Sequence, residues 1–136
     1  MEGPVGAKPA RSKPAHLMCG SRLWTIAAFV CSAYFARIAV ERVRAADVGW
    51  SHDALDVTTH AVWVLFMLGL ITETRCWKER VFFGLVLANF GLAAVMGLWS
   101  SVPLTLMNDT RMLSAVLWVA AAAMSFVLIF ARGSKQ

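Results

Sequence analysis

Four residues near the middle of the chain carry the side chains best suited to chemistry: His52, Asp53, Asp56 and His60. On a helix turning about 100° per residue, Asp53, Asp56 and His60 fall within roughly 60° of arc, and Met67 continues their stripe one heptad on. Imidazole and carboxylate at i, i+3, i+4 or i+7 spacing can ligate a divalent metal or relay a proton. His60, a turn inside an apolar stretch, is also placed to ligate a porphyrin, so it is the candidate cofactor ligand; the cofactor itself stays open. A bis-histidine haem needs imidazoles from separate helices at matching depth, and the other apolar stretches hold no histidine. One chain alone does not build that site. The same residues also have a purely structural reading. Asp53 and Asp56 suit a helix N-terminus through capping and the macrodipole, and His60 beside Thr58 and Thr59 can bond water at headgroup depth.

Other catalytic patterns are absent. The chain has no G-x-S-x-G, H-E-x-x-H, P-loop or C-x-x-C motif, which favours a role other than catalysis. Its three cysteines, Cys19, Cys31 and Cys76, are odd in number, and Cys31 lies in an apolar stretch, so reduced thiols are expected rather than a disulfide framework.

What positions these residues follows from composition. Of 136 residues, 59% are hydrophobic and 15% charged, and the mean hydropathy is +0.63. A soluble domain carries about 25% charged residues because water must solvate its surface. The deficit falls in long uncharged blocks, as in a bilayer solute. A chain this short supports one domain. The formal charge of +5 comes from basic residues flanking apolar blocks, not from a basic face interleaved with aromatics, so nucleic acid is not the expected partner.

The expected fold is an all-α integral membrane protein, a four-helix up-down-up-down transmembrane bundle. Residues 1–21, with three prolines and three basic residues, read as a polar cytoplasmic tail. The transmembrane domain spans 22–132, with helices at about 22–44, 53–72, 81–102 and 111–132, and a short tail at 133–136. In the first helix Arg37 and Glu41, four apart, can pair near the interface. A signal-peptide reading of this stretch is the weaker one: the basic segment before it is long and no A-x-A site directly follows. Ser51 or Asp53 is the natural N-cap of the second helix. Glu73–Arg80 reads as a tight charged hairpin. Pro103 closes the third helix, and Asn108-Asp109 supplies a turn and the N-cap of the fourth.

The basic residues set the orientation. Lys8, Arg11, Lys13, Arg22, Arg75, Lys78, Arg80, Arg132 and Lys135 fall on one side of a four-span layout. Arg37, Arg42, Arg44 and Arg111 fall on the other, diluted by five acids. The positive-inside rule then places both termini in the cytoplasm, in the cytoplasmic (inner) membrane. Tryptophans 24, 50, 77 and 99 sit near expected interfaces, as an aromatic belt would.

Helix three carries two small-residue faces: Gly84, Ala88 and Gly91 on one, Ala93 and Gly97 on the opposite. In lipid such faces mark close backbone approach. Asn89, nearer the second face, is expected to hydrogen-bond across a helix contact. Abundant packing faces, with ionisable groups confined to helix ends, point first to an accessory subunit held against other membrane subunits or against copies of itself. A homo-oligomeric transporter or channel, with Asp53, Asp56, His60 and Asn89 along its path, is the alternative. A membrane enzyme or metal site at the outer end of the second helix is the third.

Overall fold

A computed structural model describes residues 22–47 and 49–134. The expected N-terminal tail lies outside the described residues. Four helices make up the fold: α1 (Arg22–Arg44), α2 (Ala54–Glu73), α3 (Trp77–Leu98) and α4 (Leu104–Ser134). There is no strand among the described residues. All four helices are long and apolar enough to cross a membrane.

Local chemistry explains where each helix stops. α1 contains neither glycine nor proline, and Arg42 and Arg44 in its last turn face the negative end of the macrodipole. It ends in a Schellman turn: Ala46 N–H donates to Val43 O at 3.1 Å and Asp47 N–H to Arg42 O at 2.8 Å. That geometry needs a left-handed residue, here Ala46 at φ 58°. Asp53 occupies the N-cap position of α2 but makes no side-chain cap bond. Ser51 does that work instead, accepting from Asp53 N–H at 3.3 Å and donating to Asp56 Oδ2 at 2.7 Å.

Two boundaries differ from the sequence reading. α3 begins at Trp77, so Trp77–Arg80 form its first turn rather than part of a charged hairpin. The reason is Thr74, whose Oγ1 accepts Cys76 N–H at 3.2 Å and donates to Glu79 Oε1 at 2.8 Å, folding the polar residues inward. α4 begins at Leu104, so Asn108 and Asp109 are helical. Pro103 acts as a starter: its carbonyl accepts Met107 N–H at 3.0 Å, and a proline just ahead of a helix sacrifices no donor the helix needs.

The helices pack in the order α1, α4, α3, α2, each against the next, while α1 and α2 do not touch. Phe29 meets Phe126 and Phe35 meets Trp118 between α1 and α4, and a Cβ on Gly91 would meet Val64 of α2. α3 is central, burying Phe82, Phe83, Val86, Asn89, Met96 and Gly97 at helical spacing. α2 is peripheral, with Met67 its buried residue. The apolar core joins Met67, Phe82, Phe83, Val86, Ala121 and Leu128, and it lies toward the α2–α3 turn. Outward-facing side chains are apolar as well: Leu55, Leu65, Leu98 and Leu104 are each about two-thirds or more exposed (72, 68, 77 and 72%). Surfaces of that kind suit hydrocarbon, not water.

α3 packs between α2 and α4. Gly91 and Gly97 both approach α2, and Gly84 has nothing within 4 Å of where a Cβ would sit. Gly97 is the position where no side chain fits: a Cβ would lie 2.6 Å from Val57 Cγ2 and 2.7 Å from the Ser51 carbonyl oxygen.

Candidate functional site

The gap between α1 and α2 is a cleft of about 240 Å³ whose walls come from all four helices. α1 supplies Phe35, Ile38, Ala39 and Arg42; α2 supplies His60; α3 supplies Asn89, Phe90 and Ala93; α4 supplies Arg111, Ser114 and Trp118. Trp50 and Ser51 of the α1–α2 connection close its upper end.

Arg111 is the centre of the polar part. It is 5% exposed and seven residues inside α4, about 10 Å along the helix axis. Its Nη2 donates to the Gly49 carbonyl, and its guanidinium lies 3.8 Å above the Trp50 ring. Trp50 is itself tied to α4, its Nε1 donating to Thr110 Oγ1 at 3.0 Å. Arg111 Nε is buried without a hydrogen-bond partner, and so is His60 Nδ1. Arg42, on the rim, pairs with Asp47 at 3.4 Å. Deeper in, Ser114 Oγ donates to Asn89 Oδ1 at 3.3 Å across α3 and α4, while Asn89 Nδ2 donates to Leu85 O at 3.1 Å.

Below this polar layer runs a row of rings. Phe35 stacks on Trp118 at 4.9 Å, Trp118 meets Phe90 edge-on at 5.8 Å, and Phe90 stacks on Trp63 at 5.7 Å. His60 also leans on Phe90, at 5.9 Å. One ring from each helix, or more, thus joins the row.

The cluster His52, Asp53, Asp56 and His60 is divided by the fold. His52 donates from Nδ1 to Gly97 O at 2.8 Å. Asp56 is taken up by Ser51, and Asp53 is exposed at the helix start. Only His60 reaches the cleft, where it joins Asn89 and Ala93. Among the described residues no three of the His, Cys, Asp and Glu side chains gather as a metal site. Arg37 and Glu41 pair at 3.1 Å on an exposed face, with side chains 77% and 58% accessible, where an ion pair contributes little.

Sequence reasoning missed Arg111. Taking Asn108-Asp109 as a turn put that arginine at the edge of the span, and ionisable groups then looked confined to helix ends. Pro103 was the signal that could have found it. Read as a helix starter, it places Arg111 two turns inside α4. No family model, curated protein or solved structure matches this chain.

Proposed function

We propose that this chain is a four-span integral membrane protein that holds a small amphiphilic ligand in the cleft between α1 and α2. The helices cross the bilayer up-down-up-down, with both termini in the cytoplasm and the cleft at the opposite face. The opposed pairings between α1 and α4 support that topology, as does the basic bias of the segments assigned to the cytoplasm.

The observation that carries the ligand reading is a cavity lined by Arg111, Arg42 and His60; Arg111 Nε and His60 Nδ1 are in addition buried without a hydrogen-bond partner. A buried polar group without a partner costs about 1–3 kcal/mol, a cost that a ligand shared by these residues would offset. The test compares small molecules extracted from the purified protein with those from Ala93→Phe, which fills the cleft. A molecule bound by the wild type and missing from the variant is expected; the same molecules in both preparations would end this reading.

The peripheral position of α2 favours a second reading, an accessory subunit. Its outer face, with Leu55, Val62, Leu65, Phe66 and Leu68 exposed, is free to lie against other membrane helices, and co-purification of a membrane partner in mild detergent is its test.

A further inference from the structure

We infer that the cleft takes an anionic amphiphile, a carboxylate or phosphate head joined to an apolar body, with the head held by Arg111 and Arg42. This rests on the reading of the cleft as a ligand site.

The charge inventory selects the sign. Two guanidinium groups and an imidazole face the cavity, and the carboxylate against the rim, Asp47, is engaged with Arg42. Among the described residues no carboxylate forms an ion pair with Arg111. Its direct contacts are a carbonyl and an indole face, which orient a cation without neutralising it; Asp47 acts on it from farther off and is opposed by Arg42 and by burial. The guanidinium lines the cavity, so an anionic oxygen held there meets its charge. The Ser114 hydroxyl and the Asn89 amide add neutral polar groups about one turn deeper.

The layering of the cleft selects the rest of the molecule. Arg42, Trp50 and Ser51 line its upper end together with Arg111, which lies against Trp50 and Gly49. Trp118 is seven residues further along α4, about 10 Å deeper, where it stacks on Phe35. A charged head above and an apolar body below match that gradient. Since α1 and α2 do not touch, the cavity opens sideways, toward the side from which a membrane-dissolved molecule arrives.

Trp50 and Trp118 line the cavity and make quenching by a brominated ligand a direct readout. The full chain in neutral detergent is titrated with dibromostearate, with a brominated phosphatidate, with the dibromostearate methyl ester and with inorganic phosphate. Saturable quenching by one or both anionic amphiphiles is expected, with the ester weaker by about tenfold or more and phosphate alone inert. Which amphiphile binds more tightly separates a carboxylate from a lipid phosphate. Arg111→Gln and the rim variant Arg42→Gln should each weaken binding, Arg111 more, while Arg37→Gln, outside the cleft, leaves it unchanged. If Arg111→Gln does not stay monodisperse, Arg42→Gln carries the test. An ester binding as tightly as the acid overturns charge recognition yet leaves the ligand site standing. Phosphate binding as tightly as the amphiphiles overturns the apolar body. Absence of saturable quenching by any probe overturns the site itself.

Discussion

At the α2–α3 turn the buried polar groups find one another, whereas at the α1–α2 end two of them do not. Glu79 and Thr74, 1% and 0% exposed, bond each other at 2.8 Å, and Arg80 Nε donates to the Thr74 carbonyl at 3.0 Å. Directly beyond lies the apolar core of Phe82, Phe83 and Leu128. The opposite end keeps Arg111 Nε and His60 Nδ1 buried without a partner, on residues that line an open cavity. Polar groups that close on each other rigidify a fold; those left facing a cavity are available to something else. The difference teaches where stability and function reside in a chain of this size.

The comparison breaks first at the core. Phe83→Ala, at a residue 4% exposed, should lose about 3 kcal/mol of stability in detergent unfolding through the void it opens. An undiminished midpoint would mean that the turn end is not the stable half. Gly97→Ala comes next, at about 2 kcal/mol, because its Cβ meets backbone as well as Val57. Gly84→Ala, with open space around it, should be neutral or gain up to about 1 kcal/mol, the helix-propensity difference. A loss at Gly84 instead would reveal a partner helix on that face.

Arg111→Met sharpens the contrast most. If the guanidinium is retained for a ligand, its removal should raise ligand-free stability by about 1 kcal/mol while abolishing anion binding. Thermal melts with and without ligand read both effects. A large loss of stability would make Arg111 a structural strut. Ala46→Gly is a gain of similar size. Glycine adopts φ 58° without the Cβ penalty, so the variant should gain up to about 1 kcal/mol with binding unaltered.

Much of the fold was legible in the sequence, because long uncharged blocks leave a chain few options. α1 ends at Arg44 and α2 occupies the second block, each set by local composition. Where two polar signals competed, the reading failed. Asn108-Asp109 resembles a turn, but Pro103 had already started α4, and a helix once nucleated runs through residues of modest propensity. Glu73–Arg80 resembles a hairpin, but Glu79 folds inward onto Thr74, a contact that spacing alone does not reveal. The cleft was legible only at His60, Asn89 and Ala93. Its arginines and most of its rings come from positions far apart in sequence, and their convergence depends on which helices neighbour which.

The row of rings from Phe35 through Trp118 and Phe90 to Trp63 touches every helix at separations of 4.9 to 5.8 Å. In the ligand reading proposed above, that row is the shelf on which the apolar body of a bound molecule would rest.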